Sequence, residues 1–163
     1  QRIEKMKILS SPDSRVEMKM VHLDGESLGT GIATAVVDAS VEECAAFEYY
    51  VDSRYHKNSV KKNSISTLEA VYKNSHTLYY ISTRDLGFFL NSREGRSKVT
   101  WTKEEDGKVV IDISDTKDVN EEYPVKDGNV LVSAHSVWFF ESLDPIGEIP
   151  QTTVTFTTRV DVG

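Results

Sequence analysis

The sequence predicts an α+β fold, one antiparallel sheet carrying a single well-marked helix, and three observations point to it. From Ser64 onward the chain reads as strand after strand, joined by short turns. One segment, entered at Ser40, combines a helix start signal with helical apolar spacing. No strand–helix–strand alternation recurs, so parallel crossovers are absent and hairpin pairing is expected. A length of 163 residues suits one domain, residues 1–163, with one core.

Taken in order, Gln1 to Ser14 shows no clean period and reads as partly helical or loose. Arg15 to His22 alternates, which predicts a strand. Asp24-Gly25-Glu26-Ser27 is turn chemistry. Gly29 to Val37 predicts a second strand, and its small residues Gly29, Gly31, Ala33 and Ala35 let another element approach closely. Ser40 and Glu43 form a capping box, in which hydroxyl and carboxylate each satisfy the other residue's backbone N–H. Cys44, Phe47 and Val51 then recur at helical spacing, predicting one buried face and an end near Asp52. Arg54 to Asn63 is polar and basic, a short second helix or a loop.

Ile65 to Tyr72 and Ser75 to Ser82 predict a hairpin linked at Lys73-Asn74. Lys98–Lys103 and Lys108–Ser114 predict another, turned at Asp106-Gly107, where glycine accepts the positive φ of a tight turn. Thr116 to Gly128 is acidic and contains Pro124, so a long surface loop is expected. Asn129 to Ser142 predicts a long strand in which Trp138, Phe139 and Phe140 alternate between faces. Asp144 to Gly147 is a turn, and Thr152 to Val162 predicts a last strand. So many antiparallel strands curl, and the one helix is too small to fill a curled sheet.

Composition narrows the function classes. Charged residues at 28% and hydrophobic residues at 39% describe a folded, water-soluble chain rather than a disordered or membrane-spanning one. A net charge of −7 argues against nucleic acid and against simple attachment to anionic lipid. The lone Cys44 precludes an internal disulfide and fits a reducing compartment such as the cytoplasm. No apolar run reaches a membrane span, and Gln1 to Ser10 lacks the apolar centre of a signal peptide. The chain starts at Gln1 and stops within a strand, as expected of a fragment of a longer protein.

Recognised catalytic motifs are missing. The glycines near Gly25–Gly31 stand in the wrong order for a dinucleotide loop, and no G-K-[ST] occurs. His22, His56, His76 and His135 are far apart, and the acidic stretch from Asp112 to Glu122 lacks a calcium-loop pattern. There is no nucleophile elbow, catalytic Cys–His signature or H-E-x-x-H. No catalytic residue, cofactor or metal is therefore expected.

Two polar residues stand out. Arg84 sits beside Asp85 and against Leu86, Phe88, Phe89 and Leu90. His135 sits mid-strand between Ala134 and Ser136. Each is either a satisfied structural group or a polar group aimed into a cavity. A buried Arg84 needs a partner, and Asp85 and Glu69 are the candidates.

Five segments, in order, resemble the StAR-related lipid transfer (START) domains. V-V-D-A-S-V-E-E-C-A-A-F at 36–47 resembles their strand-to-helix entry. S-T-R-D-L at 82–86 resembles their R-D-F segment, and V-T-W-T-K-E-E-D-G-K-V-V-I at 99–111 resembles the following hairpin. V-L-V-S-A-H-S at 130–136 and T-T-V-T-F-T-T-R-V-D-V-G at 152–163 resemble two later strands. The matches span about 130 residues. Leu86 departs from the usual aromatic, and Gly87 to Ser97 is longer than usual, an insertion whose Phe88, Phe89 and Leu90 form a lid or an anchor.

The resemblance implies a helix-grip fold: a curved antiparallel sheet around a ligand cavity, closed by a C-terminal helix that this chain lacks. It implies that Arg84 and His135 lie among the polar residues of that cavity. Ser133, Trp101, Phe156, Thr158, Tyr80 and Ile111 complete the expected lining. The implied activity is non-enzymatic binding or transfer of a sterol, fatty acyl lipid or phospholipid. Transient membrane contact and self-association through the uncovered sheet are also expected. The alternatives are an enzyme of the cyclase or hydrolase type, with Arg84, Asp85 and His135 as acid–base groups, and a lipid-sensing domain of a larger signalling protein.

Overall fold

The structure, a computed structural model, describes residues 3–53, 56–58, 65–87 and 90–161. Among the described residues there are ten strands and one helix of more than a turn, which follows the third strand. They are β1 (Ile3–Leu9), β2 (Val16–Leu23), β3 (Thr30–Val37), α1 (Val41–Tyr49), β4 (Ile65–Asn74), β5 (Thr77–Arg84), β6 (Arg93–Lys103), β7 (Val109–Asp115), β8 (Val130–Leu131), β9 (Ser133–Ile146) and β10 (Ile149–Asp161). They hydrogen-bond in the order β1-β2-β3-β10-β9-β7-β6-β5-β4, with β8 off this path beside β6. The expected α+β class with an antiparallel sheet is what forms. The chain divides into two compact units, Gln1–Ala46 with Thr102–Ile111 and Ser136–Arg159, and Phe47–Trp101 with Asp112–His135 and Val160–Gly163.

In the first unit, residues 3–9 are a strand rather than a loose or helical segment. β1 pairs antiparallel with β2, Met6 opposite Val21 and Leu9 opposite Met18. Pairing with a neighbour supplies the order that local pattern lacks, since Ile3, Met6 and Ile8 remain exposed. The small residues of β3 do admit a close neighbour. Ala33 lies opposite Phe156 and Ala35 opposite Val154 on β10. Gly29 leaves room for the His22 ring, which a Cβ would meet at 2.9 Å. Trp138 packs against Phe156 with ring centroids 4.4 Å apart, and Phe140 lies on the same side of β9, 6.2 Å from Trp138. Phe139 faces the other way, under the Lys108 ammonium.

The entry to α1 forms the capping box. The Ser40 N–H donates to Glu43 Oε2 at 2.9 Å, and the Glu43 N–H donates back to Ser40 Oγ at 3.3 Å. The segment before it is tied to β10: Thr152 Oγ1 donates to the Ala39 carbonyl, and Gln151 Nε2 donates to Asp38. The buried stripe of α1 is Val41 and Ala45, not the expected Cys44 and Phe47, and Phe47 is 47% exposed. The helix also ends earlier, at Tyr49. So short a helix depends on its cap. Ser40→Ala is expected to cost about 1 kcal/mol of folding stability; an unchanged denaturation midpoint would contradict a stabilising cap.

In the second unit β4, β5 and β6 form a meander, and its core includes Leu78, Ile81 and Val99. The β4–β5 turn falls at Ser75-His76, two residues later than the sequence suggests. Residues 93–97 belong to β6, so the expected insertion shrinks to the link between Arg84 and Arg93. Phe88 and Phe89, read as a lid or anchor, lie outside the described residues, as does most of the Arg54 to Asn63 stretch. One feature departs from pure antiparallel pairing. The two-residue β8 runs parallel to β6, Val130 opposite Arg93. The reason is the 116–129 loop. Its start is held by the Thr116 N–H donating to the Arg96 carbonyl, and its return by the Val132 N–H donating to the Glu94 carbonyl.

Beneath that loop lies a buried ion pair. Glu94 is 3% exposed and Arg96 4%. Arg96 Nη2 donates to Glu94 Oε2 at 2.6 Å and to the Pro124 carbonyl, Nε donates to the Tyr123 carbonyl, and Nη1 to the Gly95 carbonyl. The other Glu94 oxygen accepts from the Lys126 N–H and the Asn129 amide. Both charges are thus fully engaged, which is the condition for burying them.

Candidate functional site

Strand period places the site. Side chains alternate across a sheet, so on β6 the even residues Glu94 and Arg96 face the loop while Arg93, Gly95 and Ser97 face the opposite side. There, within the second unit, lies a cavity of about 410 Å³. β5 supplies Tyr80, Ser82 and Arg84 to it, directly opposite Ser97, Gly95 and Arg93 in register. Leu86, Val132, Ala134 and Val160 add apolar surface, and Asp115 a carboxylate. The space exists because the middle of this face is built from small side chains. A Cβ on Gly95 would stand 3.1 Å from Ser82 Oγ.

The cavity is graded along the strands. Tyr80 stands at one end, about four residues or roughly 13 Å from Arg84 at the other. Burial raises the Tyr80 phenol above its ordinary pKa, and the positive charge of Arg84 opposes that rise. The phenol is therefore neutral at physiological pH, a hydrogen-bonding tip on an apolar ring. Arg84 makes no ion pair among the described residues; Asp85 Oδ1 instead accepts the Gly87 N–H at 2.9 Å. Glu69 stands opposite Ile81 on the neighbouring strand, so neither expected partner holds the guanidinium. Asp115 is engaged: Oδ1 accepts the Ala134 N–H at 2.8 Å and Oδ2 the Ser133 hydroxyl at 2.5 Å.

Of the eight residues expected to line a cavity, Arg84 and Tyr80 line this one. Ser133 and His135 do not. Their neighbours Val132 and Ala134 do, which puts the odd residues of this segment on the other face. His135 Nε2 lies 2.8 Å from Asp112 Oδ2, with both side chains well exposed, and Ser133 borders a separate small pocket of about 230 Å³. Trp101 packs on the His76 ring at 4.4 Å and donates from Nε1 to the Ser75 carbonyl, closing the β4–β5 turn. Ile111 is fully buried core, Phe156 packs on Trp138, and Thr158 shares a hydrogen bond with Ser136. The acid–base trio of the enzymatic alternative is not assembled, because His135 and Arg84 occupy opposite faces and Asp85 turns to backbone.

Sequence reasoning missed Ser82, Arg93, Gly95 and Ser97. Stepping back by two from Arg84 gives Ser82 and Tyr80, so half of this face was available from strand period alone. The β6 half needed the register. The first unit carries a larger groove, about 590 Å³, against Met6, Ile8 and Met18. It is bordered by exposed Glu17 and Lys19 and by Ile8 at 80% exposure, a surface furrow rather than a recess. Among the described residues no cluster of His, Cys, Asp and Glu could hold a metal, and no helix is long and apolar enough to cross a membrane.

No family profile matches the sequence, and no curated protein matches it. Solved structures do match. The human StarD13 (DLC2) lipid transfer and protein localization domain aligns over 97% of this chain and 75% of its own, with a TM-score of 0.71 and 16% identity. The STAR-related lipid transfer protein from Xanthomonas axonopodis aligns over 93% and 80%, with a TM-score of 0.68 and 12% identity. Human StAR-related lipid transfer protein 5 aligns over 97% and 73%, with a TM-score of 0.69 and 15% identity. The order of strands and helix described above is thus the helix-grip fold of the START domains.

Proposed function

We propose that this domain binds one hydrophobic ligand, a sterol, fatty acyl lipid or phospholipid, in the cavity between Tyr80 and Arg84, and that it carries the ligand without chemically changing it. The observation that supports this reading most is the cavity itself: a recess of about 410 Å³, within the roughly 300–1,000 Å³ range of small-molecule sites, whose apolar wall carries a few convergent polar groups. A fold shared with lipid transfer domains supports it independently. Burial of apolar surface supplies the affinity, about 0.8 kcal/mol per methylene, and the polar groups orient the ligand. Loading from a membrane surface, or sensing the ligand within a larger protein, would use the same binding step. The lone Cys44, its thiol pKa raised by burial, suits a reducing compartment such as the cytoplasm.

The test is direct. Protein stripped of lipid is incubated with vesicles made from a whole-cell lipid extract, re-isolated and sprayed under native conditions. One lipid per protein chain is expected in the mass spectrum. A spectrum of bare protein at every vesicle concentration would sink the proposal.

A further inference from the structure

The cavity has a depth, set by where the side chains of its wall close over the sheet. On the cavity face of β5 the side chains run Arg84, Ser82, Tyr80 and then Leu78. Their partners in register on β6 are Arg93, Gly95, Ser97 and Val99. Arg84 and Leu86 are exposed, so that end is the opening. Ser82 and Gly95 then leave the middle low. Opposite Ser97 stands the Tyr80 ring, and the pair beyond it is core: Leu78 is fully buried and Val99 is 6% exposed. Neither of these two lines the cavity, which therefore ends at Tyr80.

Two magnitudes fix what fits. Tyr80 and Arg84 are roughly 13 Å apart along the strand. An extended peptide covers three bonds in about 3.3–3.6 Å, or roughly 1.2 Å per bond, so that depth takes about eleven chain atoms. A methylene is about the size of a water molecule, whose share of the liquid is about 30 Å³, so the cavity of about 410 Å³ takes about fourteen such groups. The two counts agree when one nearly extended chain fills the width. Two chains side by side would need about twice the groups over the same depth, and a fused ring skeleton is wider than one chain.

We propose that the site takes a single-chain lipid, and that the Tyr80 ring is the stop that sets how much of the chain is enclosed. This rests on the reading of the cavity as the ligand site. It selects fatty acids, fatty alcohols and monoacyl lipids over sterols and two-chain phospholipids.

The test is a chain-length series, octanoate to octadecanoate, titrated into delipidated protein below each aggregation threshold. Affinity is expected to rise about fourfold per added methylene, then to level near dodecanoate to tetradecanoate once the enclosed stretch is full. Tyr80→Ala should move that break to chains longer by about four carbons, the span of the lost ring at roughly 1.2 Å per bond. Tyr80→Phe keeps the ring and should leave the break in place. Should Tyr80→Ala fail to fold by circular dichroism, Ser97→Leu carries the test in the opposite direction, moving the break to shorter chains. Vesicles of cholesterol and dioleoyl phosphatidylcholine are expected to leave no adduct in the native mass spectrum. A break that stays put in the folded variants, or affinity that climbs without a break, overturns the role of Tyr80. An adduct with either vesicle lipid overturns the single-chain class. In both cases the lipid-binding reading stands, whereas binding of no probe at all overturns both.

Discussion

Arg96→Met is expected to lower the unfolding free energy by about 3–5 kcal/mol, a large share of the roughly 5–15 kcal/mol that holds a domain of this size. The substitution keeps an unbranched apolar stem and removes the guanidinium with its charge. It strands the Glu94 carboxylate, buried to 3% exposure, with only the Asn129 amide and the Lys126 N–H as donors. It also removes the donors to the Tyr123, Pro124 and Gly95 carbonyls. Amide exchange should locate the damage, with protection lost first in residues 116–129. Removing both charges, Glu94→Met with Arg96→Met, should cost less than the sum of the single losses by roughly 0.5–3 kcal/mol. A single variant that unfolds at the wild-type midpoint would show that the pair contributes nothing net.

The same pair sets an acid limit. Burial pushes the Glu94 pKa upward, but the bonds from Asn129, Arg96 and Lys126 outweigh it and hold the pKa below its ordinary 4.5. A carboxylate with a depressed folded-state pKa contributes stability that is present above the unfolded value and lost as pH falls through the folded one. The contribution should thus be intact at neutral pH and decline below about pH 4.5. In Glu94→Gln that part of the acid dependence should be gone.

What the sequence revealed, and what it did not, follows from the range of each signal. Ser40 and Glu43 announce the start of α1 because a capping box is local: four consecutive residues contain the whole interaction. Asp106-Gly107 announces its turn for the same reason, and Gly107 has the positive φ, 88°, that the turn requires. β1 was illegible because it is ordered by pairing with β2 rather than by its own alternation. His135 and Ser133 show how much depends on register. The strand was right, and the residue type was a sensible ligand-binding choice. Alternation then sends Val132 and Ala134 to the cavity and the histidine to Asp112 on the far face. A one-residue uncertainty in register inverts every such assignment. Arg93 was overlooked because what brings it to the cavity is its register opposite Arg84, nine positions away along the chain.

Gly95→Leu tests where the ligand sits, because it fills the cavity without touching the ion pair on the other face of β6. The new side chain would rise from the strand into the 410 Å³ space, its Cβ 3.1 Å from Ser82 Oγ. Ser82 can turn away, so a stability change of no more than about 1–3 kcal/mol is expected from overpacking. Part of that is recovered, because glycine is a poor strand former. Binding should suffer far more. Four added carbons displace about as many ligand methylenes, which at about 0.8 kcal/mol each is roughly 3 kcal/mol, or about a hundredfold in affinity. Gly95→Ala adds only the Cβ and should lose far less, whereas a defect in folding rather than in volume would appear in both variants. If Gly95→Leu keeps its thermal midpoint within a few degrees and still takes up lipid from vesicles with wild-type affinity, the ligand does not occupy the space between Tyr80 and Arg84. The floor of small residues on β5 and β6 would then have only a structural meaning, and the orienting role of the cavity's polar groups would fall with it.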